Sequence, residues 1–231
     1  MAVQFVAIPV VNVNDEDAAC LIASAVVEDQ PHRERQSSIC ELSFPSNVPK
    51  FTLLPVEEYC AGVAHTIFPL AAEFTKQFCH LEESIEDIMA EWMEMAGDMY
   101  ATRVPVKPGV VEYLKKCKAD GEQMIVLTSS VPEHCHAALT KLGLMPYFER
   151  IFFANELMME KTNPEIYKIV AEQMGVKVNN CTFFDDSIEA CKAAKKAGMT
   201  VIGVHDPVFF QTEAEMQQVC DRYIMGFAEL L

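Results

Sequence analysis

The chain has 231 residues, 51% of them apolar and 23% charged, with 34 acidic against 18 basic side chains and a formal net charge of −16. That length suffices for one buried core, or for one core carrying an insertion. The acid excess argues against a nucleic-acid backbone as partner, and it means that any site for a phosphorylated ligand must gather its own cations. The nine cysteines show no CxxC spacing and sit singly in apolar patterns, as Cys117, Cys135 and Cys191 do. They are predicted to be reduced core thiols of a cytoplasmic protein. His134-Cys135-His136 falls on a predicted helix, where adjacent side chains point apart, so it reads as packing rather than a zinc site.

In chain order, the apolar start MAVQFVAIPVVNV reads as a strand. It is too short for a membrane helix, which needs ~20 apolar residues, and it lacks the basic flank of a signal peptide. No membrane association is expected. No internal repeat follows. Gln30 to Lys50, with Pro31, Pro45 and Pro49, reads as a surface loop. Glu57 to Phe78 and Glu82 to Met99 are long helical patterns with no strand between them. Their His65, Lys76 and His80, with Arg103, could reach a ligand, but they read as exposed polar positions. Met89, Met93, Met95 and Met99 with Trp92 read as packing.

From Pro105 the pattern alternates. Predicted helices are Val110 to Ala119, Pro132 to Gly143, Pro164 to Gly175 and Ile188 to Ala197. Predicted strands are MIVLTSS, Ile151 to Ala154, Cys181 to Phe184 and Thr200 to Val204. Pro108-Gly109 opens the first helix and Gly121 closes it. Ile166, Ile169, Val170 and Met174 form the apolar stripe of the third. Such alternation predicts an α/β fold, a doubly wound parallel sheet with right-handed crossovers that binds ligands at the carboxyl ends of its strands.

Three short motifs stand at those ends. Thr128-Ser129-Ser130 follows an apolar strand, Lys161 precedes a helix, and Asp185-Asp186-Ser187 follows another strand. A hydroxyl and backbone N–H groups can hold phosphoryl oxygens, and a lysine neutralises charge that builds up during transfer. Paired carboxylates suit a hard cation such as Mg²⁺. Taken singly, these are a turn, a solvated lysine and a helix cap; in this order they are specific.

Over Lys107 to Leu230 the chain resembles the haloacid dehalogenase superfamily, and within it the β-phosphoglucomutase-like phosphatases. The matching strings are Lys107-Pro108-Gly109-Val110, Leu127-Thr128-Ser129-Ser130, Leu142-Gly143-Leu144 with Tyr147-Phe148, Lys161 with Asn163-Pro164-Glu165-Ile166-Tyr167, Phe184-Asp185-Asp186-Ser187 and Ala197-Gly198-Met199. The spacings Thr128 to Lys161 (161 − 128 = 33) and Lys161 to Asp185 (185 − 161 = 24) fit the family. The resemblance implies that Thr128 and Ser129 bind the phosphoryl group, that Lys161 stabilises it, and that Asp185 and Asp186 hold Mg²⁺. One departure is Thr162, where the family usually has proline. The implied organisation is a Rossmann-like core of residues 1–19 and 105–231, with a helical cap of residues 20–104 inserted after the first strand and carrying the loop at 30–50.

The family's first motif, Asp-x-Asp-Gly-Thr after an apolar strand, supplies the nucleophile and the general acid. No such string exists here. Asp15-Glu16-Asp17-Ala18-Ala19 keeps both carboxylates two apart but lacks the glycine and threonine. On this alignment Asp15 is nucleophile and metal ligand, and Asp17 is general acid/base and a further candidate ligand. Two alternatives stay open: Asn12-Val13-Asn14 occupies the place, which leaves no chemistry, or Asn14 or Asp15 caps a helix. The expected activity is Mg²⁺-dependent phosphatase or phosphomutase chemistry on a small phosphorylated metabolite, by a monomer or weak homodimer. The competing expectation is a catalytically impaired relative that serves as a binding or interaction module. Dehalogenation ranks third, since Asp185-Asp186 argues for a metal.

Overall fold

Apolar runs of four to six residues bounded by Gly, Pro or charged residues are too short for helices, and they form strands. The computed structural model describes residues 3–6, 68–206 and 211–231. The described residues fall into two compact units, one holding 3–6 and 101–231, the other 68–100. In the larger unit the strands are β1 (Val3–Val6), β2 (Gln123–Thr128), β3 (Arg150–Phe153), β4 (Cys181–Asp185), β5 (Thr200–Val204) and β6 (Arg222–Ile224). They form one parallel sheet in the order β3-β2-β1-β4-β5-β6.

Helices α3 (Val110–Ala119), α4 (Pro132–Lys141), α5 (Pro164–Gln173), α6 (Ile188–Ala197) and α7 (Glu213–Val219) connect the later strands. Side chains alternate across a strand, so the two faces of the sheet bury separate cores. Ile125, Leu127, Phe183 and Val201 pack against α5 and α6 residues such as Ile166, Val170 and Ala194. Met124, Val126, Phe184, Val204 and Ile224 pack with Val110, Leu114, Leu139 and Phe227. The expected doubly wound parallel sheet is therefore the observed one. Its described first strand is shorter than the apolar run from which it was read, because only Val3–Val6 belongs to the described residues.

The smaller unit holds α1 (Phe68–Phe78) and most of α2 (Ile85–Thr102). Ala71, Ala72, Leu81, Ile88 and Trp92 form its core, with Met89, Met93 and Met95 packed against them, so these methionines do serve as packing. The loop expected at 30–50 and the helical pattern before Phe68 lie outside the described residues. Among the described residues, no helix is long and apolar enough to cross a membrane.

Gly109 secures the start of α3. Its φ is +80°, and a Cβ there would lie 2.4 Å from the Ala228 backbone nitrogen. The C-terminal 3-10 turn Phe227–Leu230 comes this close because Phe227 N–H donates to the Pro108 carbonyl. Gly109→Ala is expected to cost about 2–3 kcal/mol, from the left-handed backbone and the backbone clash together. Urea unfolding checks this; a loss under 0.5 kcal/mol would show that the turn yields freely.

Candidate active site

A doubly wound sheet opens a crevice where its strand order reverses. Here the chain steps from β1 outward to β2 and β3, then crosses back to place β4 on the other side of β1. The crevice therefore lies at the carboxyl ends of β2, β1 and β4. Thr128 is the last residue of β2, and Asp185 the last of β4. Val6 of β1 pairs with Phe184, the residue just before Asp185-Asp186.

Both carboxylates are buried, and each faces a lysine. Lys161 Nζ donates to Asp185 Oδ2 at 2.9 Å, while the other oxygen of Asp185 accepts the Ser187 N–H at 2.8 Å. Lys107 Nζ lies 3.5 Å from Asp186 Oδ2. Asp186 Oδ1 is buried with no hydrogen-bond partner among the described residues. Lys161 reaches the carboxylates because Asn163 caps α5, accepting the Glu165 N–H at 3.0 Å. The Tyr167 hydroxyl also donates to the Lys161 carbonyl at 2.7 Å. Ser187 caps α6, so the helix-cap role of this motif and its carboxylate pair coexist. On the other side of β1, Thr128 Oγ1 accepts the Ser130 N–H at 3.0 Å, an ordinary turn contact at a strand end. Ser129 is half-buried beside it. Thr162 Oγ1 donates to Glu160 Oε2 at 3.2 Å on the surface, so the residue that replaces proline is tied locally.

The charges act on one another. Burial alone would lower the Lys161 ammonium, but the charge and hydrogen bond of Asp185, then the charge of Asp186, outweigh it and hold the group above its usual value. Asp186 goes the other way for a carboxyl. Burial and the negative Asp185 push it up, Lys107 only partly offsets them, and it stands at about 7. A buried carboxylate with an unpaired oxygen beside a second carboxylate is the environment that a hard divalent cation relieves. The pair therefore fits as part of a cation's ligand set, though no group of three or more His, Cys, Asp or Glu among the described residues could hold a metal. Asp15 and Asp17 lie outside the described residues.

The raised Asp186 has a consequence for stability. A carboxyl lifted from 3.8 to about 7 in the folded state leaves stability intact below about pH 4 and erodes it as pH rises through 7. In metal-free protein at pH 8, Asp186→Asn is expected to gain about 2 kcal/mol: the buried charge is gone, while the amide brings donors of its own that need partners. Urea unfolding in EDTA at pH 4.5 and pH 8 reads it, and an equal effect at both pH values would show Asp186 to be solvated.

Residues 61–204, more than half of the chain, match the family model described as haloacid dehalogenase-like hydrolase. The chain belongs to that family. Among its relatives, YhcW of Bacillus subtilis (strain 168) is 32% identical over 160 residues, 67% of this chain and 71% of that one. Hexitol phosphatase B of Escherichia coli (strain K12) is 28% identical over 147 residues, 61% of this chain and 64% of that one. The solved structure of a haloacid dehalogenase (HAD) hydrolase, family IA, variant 3, from Entamoeba histolytica HM-1:IMSS matches with a TM-score of 0.65. It is 20% identical and covers 100% of this chain and 95% of that one, a likeness that speaks for the fold. The solved structure of a β-phosphoglucomutase from Thermotoga maritima, 20% identical with a TM-score of 0.64, likewise speaks for the fold.

Two residues outside the expected site, Lys107 of the string Lys107-Pro108-Gly109-Val110 and Asp206, complete this charge cluster. Lys107 Nζ donates to Asp206 Oδ2 at 2.6 Å and to the His205 carbonyl at 3.0 Å. Only Asp206 carries a sequence signal: His205-Asp206 follows strand β5 as Asp185-Asp186 follows β4.

Proposed function

We propose that this protein is a Mg²⁺-dependent phosphatase acting on a small phosphorylated metabolite. The observation that carries the proposal is the buried charge cluster of Lys161, Asp185 and Asp186 at the carboxyl end of β4. Burying such groups is costly unless they are paired, and Asp186 keeps an oxygen without a donor among the described residues. In this proposal Thr128 and Ser129 hold the phosphoryl group and Lys161 neutralises its oxygens. Asp185 and Asp186, together with Asp15, are the candidate Mg²⁺ ligands, with Asp17 a further candidate. When bound, the cation would lower the charge that a phosphate meets at this acidic crevice.

Asp15 would attack phosphorus, the ester P–O bond would break, and Asp17 would give its proton to the departing alkoxide. Water would then attack the phosphorus of the acyl phosphate. The P–O bond to Asp15 breaks, inorganic phosphate leaves, and Asp17 recovers a proton from that water. Two easier displacements replace one hard one.

One observation favours a second reading. The sequence has no Asp-x-Asp-Gly-Thr string, and Asp15-Glu16-Asp17 is followed by Ala18-Ala19 in place of the glycine and threonine. In the second reading the crevice binds anions without turning them over. A panel of phosphomonoesters that begins with phosphorylated hexitols, assayed for released phosphate with and without Mg²⁺, separates the two. Turnover only with Mg²⁺ supports the enzyme; phosphate binding without turnover supports the alternative.

A further inference from the structure

We propose that Lys107 is a positioning residue for the carboxylate pair: fastened by Asp206 and the His205 carbonyl, its ammonium stands as a fixed counter-charge beside Asp186 and limits how tightly the pair can hold a divalent cation. The inference rests on the reading of Asp185 and Asp186 as cation ligands, but its first test does not.

The two carboxylates are neutralised in different ways. Asp185 has a direct hydrogen bond from Lys161, 2.9 Å long. Lys107 stands farther from Asp186, at 3.5 Å, with two of its three protons directed elsewhere, to Asp206 Oδ2 at 2.6 Å and to the His205 carbonyl at 3.0 Å. A contact of 3.5 Å supplies charge without a short hydrogen bond, so it stabilises a bare Asp186 while leaving the oxygens able to take another cation. The frame that holds the ammonium is itself pinned. His205 N–H donates to the Ile224 carbonyl at 2.8 Å, and its ring Nδ1 lies 3.0 Å from the Tyr223 hydroxyl. Glu213 Oε2 lies 3.7 Å from the same nitrogen. Lys107 is thus placed by the carboxyl end of β5 and the edge strand β6, although it enters from the loop before α3. Without a divalent cation, a fixed ammonium relieves the repulsion between adjacent buried carboxylates. With one bound, the same ammonium repels it, which favours fast exchange over tight retention.

The first test is a double-mutant cycle in metal-free protein at pH 8. Lys107→Met should lower the melting temperature by several degrees. In an Asp186→Asn background that loss should shrink to less than half, because the charge that Lys107 serves is gone. Lys107→Gln, which keeps a donor for Asp206 and the His205 carbonyl without the charge, should show the same dependence on Asp186 if Lys107→Met folds poorly. An equal loss in both backgrounds would overturn the proposal and leave Lys107 as a tie between loops. The second test titrates Mg²⁺ alone by calorimetry. Lys107→Met or Lys107→Gln should bind it about fivefold more tightly than wild type, whereas a residue that merely braced the loop would weaken binding when lost. Unchanged or weaker binding overturns the proposal. If wild type shows no Mg²⁺ binding that depends on Asp186, the metal reading falls, and the stability cycle still decides the role of Lys107.

Discussion

Lys161→Met is expected to lower stability by about 3–5 kcal/mol, the cost of stranding a buried charge. The side chains of Lys161 and Asp185 are 7% and 2% exposed and stand 2.9 Å apart. Among the described residues Asp185 has one further donor, the Ser187 N–H, so after the substitution a desolvated carboxylate faces Asp186 with its counter-ion removed. Methionine fills most of the lysine's volume, and the loss is therefore electrostatic rather than a cavity effect. The pair's net value is a separate question, because desolvating both ions offsets much of their attraction. Hence Lys161→Met/Asp185→Asn should recover more than half of the loss. The lysine is held above its usual value, so its contribution is present throughout the neutral range and is lost only as pH climbs past that raised value. Urea unfolding of the four proteins at pH 7 reads the coupling. A single-mutant loss under 1 kcal/mol would mean that water reaches the pair, and the charge cluster would lose its weight as evidence for a site.

The parts of this architecture that the sequence made legible are those with strong punctuation. Pro132, Pro164 and Gly198 bracket helices, and the runs MIVLT and CTFF are apolar on both faces because the parallel sheet buries both. α7 and β6 were not foreseen. Of α7 only Met216 is buried, and β6 has three residues of which Ile224 alone is buried, so neither carries a periodic signal. The buried face of α5 keeps Ile166 and Val170 of the expected stripe, with Met174 packed against the same core, and adds Tyr167 and Ala171 in place of Ile169. Tyr167 turns its hydroxyl inward to the Lys161 and Ala190 carbonyls. The Asp185–Lys161 contact could be anticipated from the motif order, a strand ending at Asp185 and a helix start preceded by Lys161. Lys107 could not: it lies 79 residues before Asp186 (186 − 107 = 79), and only the placement of β5 and β6 brings its partners into reach.

Asp15→Asn is expected to abolish phosphate release, a loss of several powers of ten of the kind that removal of a covalent nucleophile produces. The amide oxygen is a far weaker nucleophile than the carboxylate, and the substitution also withdraws a charge from the cation. Stability is the obvious confounder, because Asp15 could equally cap a helix. Asparagine caps about as well as aspartate, so unchanged unfolding with lost turnover isolates the chemistry. Asp17→Asn should reduce turnover less, by a factor on the order of 10²–10⁴, if its task is to protonate the leaving oxygen. That deficit should narrow for esters with acidic leaving groups such as p-nitrophenyl phosphate, which depart without a proton, whereas the Asp15→Asn loss should persist for every ester. The contrast between substrates matters more than either rate, since a residue that only supports the loop would slow all esters alike. Should wild type release phosphate from no ester faster than Asp15→Asn does, the nucleophile assignment fails. The carboxylate pair Asp185-Asp186 would then belong to a protein that binds anions without turnover.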